Sequence, residues 1–326
     1  LKDDQMTHKI VLLQPIAAEM EAIIAELLPP GFTASAIKDR SAEAVRAGAA
    51  DADYCVWWDL PVDAQVIAGA PRVKLFHKWG VGVDNIDVDA CRARGIRIAR
   101  TTGSNAVPVA EAAVGLMIAL GRRIVQAHIA TVAGGWPKNE VWKRSVLVTG
   151  KTVGIVGLGW IGKEVAKRLR GFDCTILYTQ RTRLSAEEER ALGVAYRPLD
   201  ALLAESDIVS LNCPLTPETA GMIDARALAR MKRGALLVNV ARGGIVVEPD
   251  LVAALRSGHL AGAAVDVFDE EPPPKDHPLL HMDNVIATPH SASTAFENSR
   301  RSVSHWLANI VRVSRGEALP AQDVVL

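Results

Sequence analysis

Two doubly wound, mainly parallel α/β sheets are the fold class this sequence predicts, and three observations carry the prediction. Short apolar runs alternate with helical patterns through the first hundred residues, as βα units feeding a parallel sheet do. The alternation starts afresh at Lys151, which requires a second sheet. At that restart the apolar run 153–156 enters a Gly157-x-Gly159-x-x-Gly162 turn, and a helical pattern follows over 163–169. A length of 326 residues and 49% apolar content suffice for two cores.

The elements follow in order. Residues 10–14 read as a strand, 17–28 as a helix stopped by Pro29-Pro30, and 54–57 and 73–77 as strands. A helix over 88–94 closes at Gly95, and 96–99 is the next strand. Residues 106–132 form one long helical pattern or two, ending at Gly134-Gly135, and 134–150 reads as an irregular arm carrying Trp136 and Trp142. Strands at 152–156, 174–179, 207–211, 235–239, 262–267 and 284–287 predict a six-stranded sheet. The last helical pattern, 295–314, comes after that sheet is complete and is assigned to the first domain. The expected division is therefore a discontinuous domain, 1–104 plus 292–326, and a dinucleotide-binding domain, 105–291. Chain crossings near 101–105 and 288–294 would form a hinge, with the ligand in the cleft between.

Bulk properties exclude several classes. Lys plus Arg and Asp plus Glu number 37 each, a balance that argues against a nucleic-acid or acidic-membrane binder. Cys55, Cys91, Cys174 and Cys213 are scattered without ligand-like spacing, so they read as reduced thiols of a cytoplasmic protein with no bound metal. No apolar stretch is long and uncharged enough to span a bilayer, and the first eight residues are too polar for a signal peptide. Residues 1–5 read as foreign, with Met6 the natural start.

The glycine turn has a mechanism. Gly157 allows the tight turn, Gly159 lets backbone approach a pyrophosphate, and Gly162 packs helix on strand. With Trp160 and Ile161 they aim a helix N-terminus at phosphates. The second strand leads into Gln180, Arg181 and Arg183. A carboxylate there would hold a ribose 2′-OH and repel a 2′-phosphate, whereas Gln tolerates the phosphate and guanidinium forks bind it. NADP(H) is the favoured cofactor. The alternative is NAD(H) bound without a ribose clamp beside two solvated arginines.

Three later strand ends each deliver a polar group: Arg242 after 236–240, a carboxylate after 264–268, and His290 after 285–287. Beside a nicotinamide, an Arg, a carboxylate and a His suit reversible hydride transfer at a 2-oxo acid. The Arg grips the substrate carboxylate, the His protonates the carbonyl oxygen, and the acid favours the imidazolium form.

These residues resemble a known family. The stretch Lys78-Trp-Gly-Val-Gly-Val-Asp-Asn-Ile-Asp87, the run from Asn105 to Glu111, the GLGWIG turn, Pro214-Leu-Thr-Pro-Glu-Thr219, Val240-Ala-Arg-Gly-Gly244, Asp266-Val-Phe with Glu271-Pro272, and Thr288-Pro-His290 occur in the order found in the D-isomer-specific 2-hydroxyacid dehydrogenases. The glyoxylate/hydroxypyruvate reductase branch is most similar, over about residues 50 to 315. The resemblance implies a flavodoxin-like substrate domain and a Rossmann nucleotide-binding domain. It implies Arg242, Glu271 and His290 as the catalytic three. Val81 and Gly82 would offer backbone N–H groups to the substrate, and Pro214, Thr219, Ala241 and Asp266 would hold the nicotinamide side. It also implies a homodimer, with the 106–146 helix and arm embracing the partner. Two departures stand out: Gln180 where NAD-dependent members carry Asp, and Ser291-Ala292 where Ile-Gly is common.

Blander readings remain beside these. Glu270 adjoins Glu271 and the pair could be a solvated loop; Pro272 favours Glu271. His8, His77, His128, His259, His277, His281 and His305 read as surface or core residues, and Arg122-Arg123 and Arg300-Arg301 as solvated helix faces. Lys78 either contacts an anionic substrate or is a solvated strand-end lysine. Trp57 and Trp58 either narrow the substrate site, favouring glyoxylate, hydroxypyruvate or a phenyl-bearing analogue, or pack as a wedge. No Arg cluster suits a substrate phosphate. The rival functions are formate, phosphite or phosphoglycerate dehydrogenase, and a nucleotide-sensing corepressor on the same scaffold.

Overall fold

A computed structural model describes residues 7–326; the proposed foreign start, 1–5, and Met6 lie outside the described residues. The chain divides into two compact units. One runs to Asn105 and resumes over Ala295–Leu326, and the other is Ala106–Thr294.

The first unit holds five parallel strands: β1 (His8–Leu12), β2 (Phe32–Ala36), β3 (Tyr54–Trp57), β4 (Leu75–Lys78) and β5 (Arg97–Arg100). Their order is β2-β1-β3-β4-β5. Both β3 and β4 are buried along their whole length, as central strands covered on two faces must be. One face packs on helix Phe296–Ser314 through Val303, Trp306, Leu307, Ile310 and Val313. The other is covered by helices Ala42–Ala50, Ala64–Ala68 and Val88–Ala93, whose first turns are capped by Ser41, Asp63 and Asp87. Strand β2 and helix Ala42–Ala50 were not expected. The strand reads FTASA, with a single large apolar residue, and the helix is alanine-rich with only Val45 and Ala49 buried. Neither shows a strong hydrophobic period.

The second unit holds seven parallel strands rather than six. They are β6 (Thr152–Val156), β7 (Thr175–Thr179), β8 (Val194–Tyr196), β9 (Ile208–Leu211), β10 (Leu236–Asn239), β11 (Gly262–Val265) and β12 (Val285–Ala287). Their order is β12-β11-β10-β9-β6-β7-β8. The extra strand is the three-residue β8, which pairs Val194 with Ile176 at the sheet edge and is too short to show a period. The chain reverses its winding between β6 and β9, so their C-terminal ends flank the switch point where doubly wound sheets take ligands.

The long helical pattern resolves into two helices, Ala106–Gly121 and Ile124–Val132, parted at Arg123, whose φ is 53°. The arm expected to be irregular carries a helix, Lys138–Arg144. Its Glu140 near the start and Lys143 and Arg144 near the end suit the helix dipole, but no residue in it is buried, so it shows no apolar stripe.

Candidate active site

The C-terminal ends of β10, β11 and β12 bring Arg242, Asp266, Glu271 and His290 into one neighbourhood. Asn239, buried at the end of an otherwise apolar strand, shapes the first turn. Its side-chain amide donates to the Arg242 carbonyl at 2.9 Å and its oxygen accepts from Ala241 N–H at 3.0 Å. The Arg242 guanidinium donates to the Ala241 carbonyl at 2.8 Å. Gly243 follows because nothing larger fits: a Cβ there would lie 2.0 Å from the Phe268 carbonyl carbon. The Arg242 turn thus lies directly against the loop that leads to Glu271.

Asp266 is 1% exposed, and its carboxylate is occupied by the next strand end. It accepts from the Thr288 hydroxyl at 2.6 Å and from the Ser291 and Ala292 backbone N–H groups at 2.9 Å each. The residue expected on the nicotinamide side therefore also shapes the loop carrying His290. That loop is strained. His290 adopts φ 51°, a left-handed conformation that non-glycine residues rarely take, and its N–H donates to the Asp266 carbonyl at 2.8 Å. The Ser291-Ala292 departure is explained here, since both residues contribute through backbone N–H groups.

His290 Nδ1 meets Glu271 Oε2 at 2.7 Å, and the other Glu271 oxygen accepts from Phe268 N–H at 3.1 Å. Burial pushes the Glu271 carboxyl up, but His290, the Phe268 N–H and the charge of Arg242 together hold it below the ordinary glutamate value. His290 Nε2 has no hydrogen-bond partner among the described residues, and the side chain is 41% exposed. An imidazole held at one nitrogen and open at the other can move a proton at the open one. Glu270, the competing carboxylate, makes no such contact. Sequence reading missed Asn239 and Thr288; a polar residue ending an apolar strand was the available signal.

The glycine turn fits a dinucleotide. Gly157 has φ 93°, and a Cβ on it would meet Cys213 N at 2.7 Å; one on Gly162 would meet the Gly157 carbonyl oxygen at 2.2 Å. A Cβ on Gly159 would meet nothing within 4 Å, so this chain's own packing does not demand that glycine. Gly159 is the N-cap of helix Trp160–Leu169 and supplies no side-chain cap, which leaves first-turn N–H groups for phosphate oxygens. At the end of β7 two of the three expected residues are engaged within the chain. Arg183 is clamped by Glu189 at 2.8 and 3.0 Å over the Tyr196 ring, and the Gln180 amide donates to the Thr182 carbonyl at 2.6 Å. Arg181 makes no hydrogen bond among the described residues, which leaves it as the better-placed guanidinium. After β9, the Thr219 hydroxyl staples its own turn, donating to the Pro214 carbonyl at 2.7 Å and accepting from Thr216 N–H at 2.8 Å. No metal-binding cluster occurs among the described residues.

Residues 114–292 match the family described as D-isomer specific 2-hydroxyacid dehydrogenase, NAD binding domain. The chain belongs to this family. It is 42% identical to a glyoxylate reductase of Korarchaeum cryptofilum over 80% of this chain and 79% of that protein. It is 40% identical to a D-3-phosphoglycerate dehydrogenase of Archaeoglobus fulgidus over 81% of this chain and 49% of that longer protein. The NAD-dependent formate dehydrogenase of Staphylococcus aureus, solved in complex with NAD, superposes with a TM-score of 0.87 at 31% identity, covering 98% of this chain and 99% of that one.

Within this member of the family the remaining candidate residues lie in the first unit. Trp57 is fully buried and donates from its indole N–H to Asn85 at 3.0 Å, so it is core packing and not a wall. Trp58 is half-buried in an edge-to-face contact with Trp79 at 5.3 Å. Lys78 is not solvated: it is 5% exposed, lies over the Trp57 ring, and donates to Asn85 at 2.8 Å and to the Trp58 carbonyl. Asn85 in turn donates to the Trp58 and Leu60 carbonyls at 3.0 and 3.1 Å, fixing the base of the loop that carries Val81 and Gly82. The Gly80 carbonyl accepts from Thr101 N–H at 2.9 Å and closes that loop.

Proposed function

We propose that this chain reduces a small 2-oxo acid to its D-2-hydroxy acid, with NADPH preferred over NADH. The observation that carries the reading is the His290–Glu271 hydrogen bond at 2.7 Å, which leaves Nε2 open at a strained strand end beside the Arg242 turn. The reduced nicotinamide, when bound, supplies the hydride. Gly157, Gly159 and Gly162 with the helix N-terminus would hold its pyrophosphate. Arg242 offers the planar fork that suits a substrate carboxylate. His290 protonates the oxygen that becomes the hydroxyl, and Glu271 keeps the ring turned with Nε2 outward. The NADPH preference rests on Gln180 in place of a carboxylate and on Arg181. Glyoxylate, hydroxypyruvate and phenylpyruvate are the substrates favoured over a phosphorylated acid.

The same reading includes a homodimer in the cytoplasm. Ile124, Ile129, Val132, Trp136, Trp142 and Leu147 form an exposed apolar run on the arm and its preceding helix, which a second copy of the chain would cover. The four cysteines are unpaired, as a reducing compartment would keep them. No helix among the described residues is long and apolar enough to cross a membrane.

Steady-state assays with NADPH and NADH against the three oxo acids test the reading, run beside formate, phosphite and 3-phosphoglycerate with the oxidised cofactors. The highest kcat/KM on a small oxo acid with NADPH is expected. Preferred turnover of formate, phosphite or 3-phosphoglycerate would overturn the substrate assignment. Tighter use of NADH would overturn the cofactor preference, and cofactor uptake without any turnover would point to a sensor. In Trp58→Ala an unchanged oxo-acid ranking removes Trp58 from substrate selection.

A further inference from the structure

A second carboxylate, Glu248, holds the loop that presents Glu271. It opens helix Glu248–Arg256, a few residues after the Arg242 turn. Its two oxygens reach two points of the 268–277 loop. One accepts from Asp269 N–H at 3.1 Å and the other faces His277 Nε2 at 3.1 Å. Both side chains are only 15% exposed. The His277 ring stands edge-on to Phe268, with centroids 5.6 Å apart, and Phe268 supplies the backbone N–H that Glu271 accepts. Backbone at Phe268 and Asp269 is also where Gly243 makes its closest approach. A continuous path of contacts therefore runs from Glu248 through Asp269 and Phe268 to Glu271 and on to His290.

We propose that Glu248 and His277 are a positioning pair that fixes the geometry of Glu271 against His290 without touching substrate. The inference rests on the reading of His290 as proton donor. The loop carries consecutive acids at 269, 270 and 271, and Asp269 feels Glu248 and His277 from beside it. Burial, and after it the charge of Glu248, pushes its carboxyl above the ordinary aspartate value, with His277 opposing. His277 is the counter-charge on that side of the loop, and His290 and Arg242 are those facing Glu271. Glu248 thus offers an acceptor to backbone and a partner to His277 from one rigid helix start. A glutamate serving only to begin its helix would need neither contact.

The experiment compares Glu248→Ala and Glu248→Gln in the whole chain. Glu248→Ala should lower kcat about ten- to hundredfold with KM for oxo acid and cofactor little changed, the signature of lost alignment. The acid limb of its kcat profile should move to higher pH, because Glu271 loses part of what holds its carboxyl down. Glu248→Gln keeps an acceptor for Asp269 N–H and a hydrogen-bonding amide for His277, so it should recover most of the loss. Carboxyl NMR of Glu271 in cofactor-free protein gives a readout independent of turnover, and its midpoint should rise by about half a pH unit in Glu248→Ala. A lower melting point with kcat, acid limb and Glu271 midpoint unmoved would reduce Glu248 to a structural residue and overturn the proposal. Should Glu248→Ala fail to fold, His277→Ala with kcat, acid limb and Glu271 midpoint all at their wild-type values would do the same. Wild type inactive on every oxo acid would sink the catalytic reading, while the Glu271 midpoint would still decide whether the coupling exists.

Discussion

Two imidazole–carboxylate contacts of the same 2.7 Å length occur in this protein, His305–Asp323 in the first unit and His290–Glu271 in the second. They differ in how the carboxylate is buried and in the backbone that carries the ring. Asp323 is 1% exposed and accepts from His305, from Asn309 at 3.1 Å and from Thr102 N–H at 3.2 Å. The Asn309 amide spends its other hydrogen on His77 Nε2 at 3.0 Å, and His77 Nδ1 meets the Lys78 carbonyl at 3.0 Å. Proton accounting then fixes His77 as the neutral ring, donor at Nδ1 and acceptor at Nε2. The circuit ties the C-terminal segment to β4. His290, like His305, spends one nitrogen on its carboxylate, but it sits on backbone held at φ 51° and its partner Glu271 is 36% exposed. A buried, fully occupied carboxylate marks the first pair; a strained strand end beside the Arg242 turn marks the second.

The contrast breaks most readily at His290. His290→Gln preserves a hydrogen-bonding group for Glu271 but cannot deliver a proton, so kcat should fall by about 10² or more. NADPH affinity, followed by quenching of tryptophan fluorescence, and the thermal midpoint should stay near wild type. Turnover within tenfold of wild type would mean that the open nitrogen is not the proton source, and the functional half of the comparison would fail.

The next effect belongs to the His77 circuit. Burial drives His77 down from its ordinary 6.5 to about 3, with the charge of His305 adding to the shift and the Lys78 carbonyl and Asp323 opposing. Below 6.5 the unfolded chain takes a proton that the folded chain refuses, so stability is lost as pH falls from there toward 3. At pH 5 the loss from this group is about 2 kcal/mol. Asp323 acts in a lower window. Burial raises its carboxyl, but His305, Asn309 and Thr102 outweigh burial and hold it down, so its stabilisation disappears only as pH falls below the ordinary aspartate value. Urea unfolding at a series of pH values should show a shallower slope between pH 5 and 6.5 in His77→Gln than in wild type. Equal slopes would show that His77 takes up a proton in the folded state, and its assignment as the neutral ring would fail.

What sequence could reveal divides along the same line. The grouping of the candidate site residues was legible because each follows a strand end: Arg242 after LLVN, His290 after VIA, with the glycine turn after TVGIV. Local order along the chain encodes that arrangement, and β3 was expected at the limits where it occurs. The His77 circuit was not legible, since His77 and Asn309 lie 232 residues apart and nothing local marks either. The burial of Trp57 and Lys78 was hidden for the same reason, because Asn85 must come back across the strand ends to receive both. Strand β8 was missed through brevity, and β2 through its small residues. The pairing of Arg183 with Glu189 depends on a helix whose capping box, Ser185 with Glu188, was readable but not used.

The smallest effect sharpens the comparison most, because it applies the same substitution to the other pair. In His305→Gln the amide can still donate to Asp323, which also keeps Asn309 and Thr102, so the buried carboxylate is not orphaned. What is lost is the charge assistance of one contact on a side chain 25% exposed, about 1 kcal/mol. Stability by urea unfolding should drop by that amount while kcat and KM stay within about twofold of wild type, because the circuit serves the packing of the C-terminal segment. His290→Gln should give the reverse, with turnover lost and stability kept. A tenfold fall in kcat for His305→Gln would couple the C-terminal segment to the chemistry through Thr102 and its neighbours at the chain crossing. The first-unit pair would then belong to the working machinery, and burial of the carboxylate would no longer separate structural from chemical histidines in this fold.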